Sequence, residues 1–213
     1  MNSKKKKIVT VSAVAAVAAM VIAGSTMAYF TDSKEATNTF TMGDVSIKLD
    51  ETDITSKTGA RTETGNDYEG VTPGQVVTKD PIIYNTGSND AYIRALVTVE
   101  DWVAECKEYF PDYKLVYGDD GYEQSLLNIA DNLGTGWSIV GCSLSEDGKD
   151  VIFELKYADV LGEDEETTAM FNTITVPAAM SGDDTFGNIV VEGQAIQNAG
   201  FDSWEAAFNE FTE

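Results

Sequence analysis

The chain has 213 residues, and its 36 Asp and Glu against 14 Lys and Arg give a net charge of −22. A protein this acidic repels nucleic acid and anionic lipid, so neither is an expected partner. Its hydrophobic and aromatic fractions, 43% and 10%, exclude a disordered chain and suffice for one domain with a core. The absence of His excludes HExxH zinc proteolysis, Ser-His-Asp hydrolysis and Cys-His catalysis. We therefore expect no catalytic residues and a protein that is not an enzyme.

The N-terminal segment, residues 1–28, has the three-part pattern of a secretory signal peptide. Four consecutive Lys precede an apolar run over residues 8–24, and small residues stand at Thr26 and Ala28. The alternative is an uncleaved anchor, but an apolar run of about 16 residues is shorter than the roughly 20 that span a bilayer. The pattern predicts cleavage between Ala28 and Tyr29 by a signal peptidase. The mature protein is then secreted to the extracellular matrix or cell surface, and it meets the membrane only before cleavage.

Residues 29–42 form a Thr-rich segment directly after the predicted cleavage site. Phe30, Ala36 and Phe40 share one parity, so an extended strand would present them on one face. Cleavage would free this segment to pair with an open sheet edge of a neighbouring subunit, as a donor strand. The alternative is that it pairs with its own domain as a first strand.

The remaining residues, 43–213, are predicted to form a single domain of seven to nine short strands. A long surface loop is expected at 51–70, short helices at 100–109 and 122–133, and a C-terminal helix with Asp202 as its N-cap. Strands separated by turns, without regular βαβ alternation, favour a mainly β fold: an antiparallel, jelly-roll-like or immunoglobulin-like sandwich with helical insertions. The strand segments are 45–49, 76–85, 91–99, 137–144, 150–157, 170–176 and 187–195.

The acidic runs at 119–120, 163–166 and 183–184 are the candidate cation sites. None matches the loop pattern of a calcium-binding EF-hand, so a solvated acidic face is the expected role. We predict no cofactor and no specific metal site. Weak, diffuse binding of calcium is the alternative.

The two cysteines, Cys106 and Cys142, could form a disulfide in an exported protein. The bond would close a loop of about 36 residues and add roughly 3–4 kcal/mol of stability. The alternative is two separate buried thiols. The three Trp lie in apolar patterns, which favours core packing over a carbohydrate-binding platform.

The sequence also resembles a known family in three blocks. Residues 28–47, AYFTDSKEATNTFTMGDVSI, resemble the N-terminal block of TasA/camelysin-type secreted proteins of Gram-positive bacteria: an A-[FY]-F-[TS]-D segment, a Thr-rich stretch, then F-x-x-G-x-[VL]-x-[IL]. The second block of the family is similar to Thr-Pro-Gly at 72–74, Lys79, Pro81, Asn-Thr-Gly at 85–87 and Tyr-Ile-Arg at 92–94. Residues 190–197 resemble the penultimate strand of the family.

The resemblance implies a function that composition does not. It implies cleavage by a dedicated signal peptidase, a jelly-roll-like fold, and assembly into extracellular fibres of a biofilm matrix. In such fibres the N-terminal strand completes the sheet of the next subunit, so the expected partner is a second copy of the chain. Some family members are described as metalloendopeptidases, but this chain has no imidazole ligand to offer. The other alternative is a monomeric cell-surface binding module.

Overall fold

The computed structural model describes residues 31–34, 45–102, 129, 132–178 and 187–211. These residues form ten strands and one helix, and every pairing between strands is antiparallel. The elements are β1 Thr31–Lys34, β2 Ile47–Thr52, β3 Arg61–Thr62, β4 Val76–Thr78, β5 Ile82–Asn85, β6 Ala91–Val99, β7 Trp137–Leu144, β8 Val151–Tyr157, β9 Thr173–Thr175, β10 Ile189–Gln197 and α1 Trp204–Asn209. The predicted mainly β, antiparallel fold is confirmed.

The strands are arranged in one large sheet and two small ones. The large sheet has the order β1-β10-β6-β8-β7, and the small sheets have the orders β3-β2-β5 and β4-β9. The centre of the large sheet is β6, whose residues alternate between buried and half-buried along its whole length. Successive side chains of β6 therefore point in turn into the core and toward the outer face of the sheet.

The large sheet and the β3-β2-β5 sheet pack against each other through apolar side chains. Ile47 of β2 and Ile83 of β5 are fully buried, and both approach the backbone of β10 at Gly193. The opposing faces of β6 and β8 complete this core, whose buried strand residues include Ile93, Ala95, Val97, Val99, Val151, Phe153 and Leu155. The large sheet and the β3-β2-β5 sheet thus each bury their apolar face against the other.

The C-terminal helix α1 covers the outer face of the large sheet. Trp204 and Phe208 pack with Ile196 of β10 in a second, smaller cluster, and Trp204 Nε1 donates to the carbonyl of Ile93 at 2.8 Å. The N-cap is Ser203, whose side chain accepts from the Ala206 amide at 3.1 Å. The predicted N-cap, Asp202, is therefore wrong by one residue. Ser and Asp are equally good caps, and the register that buries Trp204 selects Ser203.

Most predicted strands are confirmed, but one predicted loop is wrong in part. Residues 51–70 were expected to be surface loop, whereas β2 continues to Thr52, Glu51 is buried, and Arg61–Thr62 pairs with β2 as β3. Within the described residues, no helix is long and apolar enough to cross a membrane. The predicted signal peptide, residues 1–28, and nearly all of the two predicted internal helices lie outside the described part of the chain.

Candidate functional site

The strand β1 lies at one edge of the large sheet, beside β10 of the same chain. Its four residues pair with four of β10, in a register that runs from Thr31 opposite Ile196 to Lys34 opposite Gly193. The rest of β10, from Ile189 to Glu192, pairs with β6 but with no other strand among the described residues. The N-terminal segment was expected to pair either with a neighbouring subunit or with its own domain. The observed pairing of β1 with β10 is the one within its own domain.

The strand β10 is held firmly on its other side. All nine of its residues pair with β6. On the outer face, Arg94 Nε donates to Gln194 Oε1 at 2.6 Å, and Gln194 Nε2 donates to Glu192 Oε1 at 2.6 Å. The Arg94 guanidinium lies 4.5 Å from the Phe208 ring centroid, which joins it to the C-terminal helix. The edge that receives β1 therefore belongs to a well-anchored strand.

A cavity of about 710 Å³ lies between the first half of β10 and the small sheets. Its apolar wall includes Leu49 of β2, Val77 of β4, Ile174 of β9 and Val191 of β10. All four side chains belong to the main core or pack against it. The cavity thus opens from the interior of the sandwich, beside the half of β10 that β1 does not cover.

The cavity wall also carries a buried ion pair. Lys79 Nζ donates to Glu51 Oε2 at 2.8 Å, and the two residues are 8% and 3% exposed. The other carboxylate oxygen, Glu51 Oε1, is buried and has no hydrogen-bond partner among the described residues. A buried carboxylate oxygen that is left without any partner costs about 1–3 kcal/mol or more, so Glu51 Oε1 favours a hydrogen-bond donor beside it.

Tyr68 lies on the same wall, and its hydroxyl donates to the carbonyl of Thr78. Burial raises the pKa of Tyr68 to about 12, and the negative charges of Glu51 and Asp80 add to that shift. The phenol is therefore neutral at physiological pH.

A second charged group lies next to this wall, around Arg61 of β3. Its guanidinium binds the carboxylate of Asp50 and, at 3.1 Å, the carboxylate of Asp80. It also donates to the carbonyls of both residues, at 3.0 and 2.8 Å. Asp80 accepts in addition from the amide and hydroxyl of Thr52, each at 2.8 Å. Asp50 is 3% exposed, so this network neutralises a buried carboxylate.

These carboxylates do not fit a catalytic metal site. Asp50 and Asp80 are bound by Arg61, and Glu51 is bound by Lys79. No His is present to supply an imidazole ligand. Across the described ranges, no group of three or more His, Cys, Asp or Glu could hold a metal ion.

Several predicted site residues cannot be placed. The cleavage pair Ala28 and Tyr29, and the assembly residues Phe30, Ala36 and Phe40, lie outside the described residues. The same holds for Cys106 and for the acidic runs at 119–120 and 183–184, and Cys142 is half-buried in β7. The disulfide therefore stays a prediction.

Two other expectations have an observed counterpart. The Trp residues are 1–7% exposed, as core packing requires: Trp102, Trp137 and Trp204. The acidic run at 163–166 is exposed throughout, as expected of a solvated acidic face, and Glu165 Oε2 accepts a hydrogen bond from the Gly162 amide at 2.8 Å.

Sequence reasoning missed the charged residues around the cavity. Glu51 and Arg61 come from the segment 51–70 that was expected to be surface loop, and Lys79 comes from the segment 76–85 that was predicted as strand. One signal was present: the alternation of β2 ends at Leu49, and two acidic residues follow it directly. Asp50 and Glu51 point to opposite sides of the strand, and each is buried against a different cation.

Comparison with known proteins agrees with the N-terminal motifs. The model of a family described as camelysin metallo-endopeptidase matches residues 3–108, about half of the chain. No curated protein and no solved structure matches it. The match covers the N-terminal block and the second block of the predicted resemblance. The chain therefore belongs to the camelysin family, which confirms the TasA/camelysin membership that these motifs predicted.

Proposed function

We propose that the protein is a secreted structural protein, a subunit of extracellular biofilm-matrix fibres that assembles through its mature N-terminal strand. The observation that supports this most directly is the position of β1. It is a four-residue strand at a sheet edge, and it comes from the segment that follows the predicted cleavage site. The family match over residues 3–108 supports the coarser part of the proposal, a secreted protein of the camelysin family.

The proposed assembly step is an exchange of identical strands. Residues 31–34 leave β10 of their own chain, and the same residues of a second copy take the place opposite Gly193–Ile196. The pairing is conserved in the exchange, so little free energy separates the closed monomer from the linked subunits. Each subunit donates one strand and accepts one, which generates a linear homo-oligomer.

A reversible lock tests the exchange. Asp32 and Ala195 are opposite each other in the register, so a D32C/A195C pair can form a disulfide across β1 and β10. The two native cysteines are replaced by Ser in this background. We expect the oxidised monomer to form no filaments by negative-stain electron microscopy, and the reduced protein to form them.

The same variant also gives a positive readout. If it is assembled while reduced and then oxidised, the disulfide joins neighbouring subunits, and a non-reducing gel shows a ladder of covalent multimers. The matched control is T98C/I152C, which links the paired strands β6 and β8 and should leave assembly unchanged. Filaments from the locked monomer, or from protein without residues 29–42, would refute assembly through this strand.

The family description favours a second candidate function, a secreted metalloendopeptidase. The donor set around the cavity does not fit that activity, because its carboxylates are bound by Arg61 and Lys79. Incubation of the purified protein with casein and zinc or calcium separates the two functions. Cleavage that a chelator abolishes would support the protease, whereas casein that stays intact supports the structural role. A stable monomer under all conditions would favour a surface-binding module instead.

A further inference from the structure

We propose that the cavity beside β10 is a binding site for a small organic amine, whose apolar body fills the cavity and whose ammonium group pairs with Glu51. This inference is independent of fibre assembly, because β1 does not line the cavity. Three properties of the described residues support it: the size of the cavity, the unpartnered oxygen of Glu51, and the sign of the charge around it.

The size and lining suit a small ligand. About 710 Å³ lies within the range of roughly 300–1,000 Å³ that is typical of sites for small molecules. The apolar wall is formed by core strands from both sides of the sandwich, including Leu49, Ile174 and Val191. Because these strands are held by their ladders, the site is largely formed before a ligand arrives.

Glu51 is the residue that would bind the charged end of the ligand. Oε2 is occupied by Lys79, whereas Oε1 is buried and has no hydrogen-bond partner in the part of the chain that the structure describes. Gly65, another residue of the wall, lies so close that a Cβ atom there would be 3.7 Å from Oε1. A ligand that places a charged N–H group at Oε1 would satisfy this oxygen, and a charge-assisted hydrogen bond is stronger than one between neutral groups.

The charge around the cavity selects a cation. Among the described lining residues, three are acidic, Glu51, Glu63 and Asp67, and one is basic, Lys79. Lys79 already uses its charge on Glu51, so an anionic ligand would meet an excess of negative charge. The neutral ring of Tyr68, which also lines the cavity, could make a cation–π interaction with the ammonium group.

A pair of fluorescent probes tests the proposal on the secreted protein. Dansylcadaverine carries an apolar ring system and a primary ammonium, and the dansyl amide of n-pentylamine has the same body without the charge. We expect saturable binding of the amine, measured by fluorescence and by calorimetry, with an affinity about tenfold or more above that of the uncharged probe.

Variants separate the polar end from the apolar body. E51Q alone leaves Lys79 buried without its partner and can unfold the protein, so it is paired with E51Q/K79M, which removes both charges. We expect the double variant to bind both probes equally. V71W places a large ring in the cavity, since Val71 is a half-buried lining residue, and should weaken both probes. D147N, which removes an exposed charge from the β7–β8 turn, should change neither affinity.

Three outcomes would overturn the proposal. They are equal affinity for the two probes in the parent protein, an unchanged preference in E51Q/K79M, and no saturable binding of the amine. The last result would mean that Glu51 Oε1 is met by water alone. None of the three affects fibre assembly, which is measured separately by filament formation.

Discussion

Gly193 of β10 lies so close to Ile83 of β5 that a Cβ atom on Gly193 would stand 2.9 Å from Ile83 Cδ1. The same Cβ would be 3.3 Å from Ile47 Cδ1. The large sheet and the β3-β2-β5 sheet therefore approach each other here because one residue has no side chain. The residue opposite Gly193 on β1 is Lys34, so this contact supports the edge that receives the N-terminal strand.

We expect G193A to destabilise the protein by about 1–3 kcal/mol, because the added methyl group overpacks the core. The measurement is the midpoint of urea unfolding. I83V deletes the Cδ1 atom that the new methyl would meet, so G193A should cost less in an I83V background. The same cost in both backgrounds would contradict the close contact.

Arg61 is expected to be a strong determinant of stability, since it neutralises the buried carboxylate of Asp50. R61M should lower the free energy of unfolding by about 3 kcal/mol, because it removes the guanidinium that binds Asp50 and Asp80. The buried Asp50 carboxylate would keep only Lys48 Nζ, at 3.0 Å, as a cationic partner among the described residues. R61K keeps the charge but loses the fork that reaches Asp50 and Asp80 together, so an intermediate loss is expected. A lysine variant as stable as the parent, in chemical unfolding, would argue against that bidentate role.

The C-terminal helix should depend on Phe208, which is 7% exposed and lies against Trp204 and Arg94. F208A removes most of this contact and should cost about 3 kcal/mol. The change is readable as a shift in Trp fluorescence together with a lower melting temperature. E205Q removes the exposed ion pair of Glu205 with Lys156 and should leave the melting temperature nearly unchanged, because surface ion pairs contribute little to stability.

Tyr68 predicts a loss of stability at alkaline pH. Its pKa is about 12 in the folded protein, above the ordinary value of 10.0, so the folded state holds the phenol proton more tightly than the unfolded state. The contribution is complete below pH 10 and is lost as the pH rises through the folded pKa. The parent protein should therefore lose stability more steeply than Y68F between pH 10 and 12, as measured by thermal unfolding. Parallel curves would contradict the shift.

Cleavage after Ala28 is tested on secreted material. N-terminal sequencing should begin at Tyr29, and the mature chain should carry 10 basic and 36 acidic residues, because residues 1–28 hold four Lys and no acid. The same sample, run without reductant and mapped by mass spectrometry, shows whether Cys106 is linked to Cys142. Retention of the apolar run in the secreted protein would indicate a membrane anchor.

The strands were predictable wherever apolar and polar residues alternate in the sequence. In β6 and β8 every second residue is apolar, and both strands were predicted within a residue of their observed bounds. The helix α1 was predictable from its apolar stripe, but its first residue was not, because Asp202 and Ser203 are both good caps. Packing of Trp204 against the sheet decides between them.

The charged residues around the cavity were not predictable, because a sequence shows the charge of a residue and not its partner. Glu51 and Lys79 are 28 residues apart, and Asp50 and Arg61 are 11 apart. Only the return of β5 and β3 alongside β2 brings these pairs together. A composition rich in acid hides such residues, since most of its carboxylates lie in solvent.

The opposite border of the large sheet, β7, differs from the β1 border. Its pairing with β8 shifts register between Ile139 and Gly141, which leaves Val140 as an extra residue in the ladder. A bulge of this kind increases the twist of the strand and disrupts the regular row of amides and carbonyls with which a strand of another chain would pair. The two edges of the large sheet therefore differ: the β7 edge is irregular, and the β1 edge is a strand of four residues. In the proposed assembly, contacts between copies of such a sheet would have a direction, which would favour a chain of subunits over a lateral aggregate.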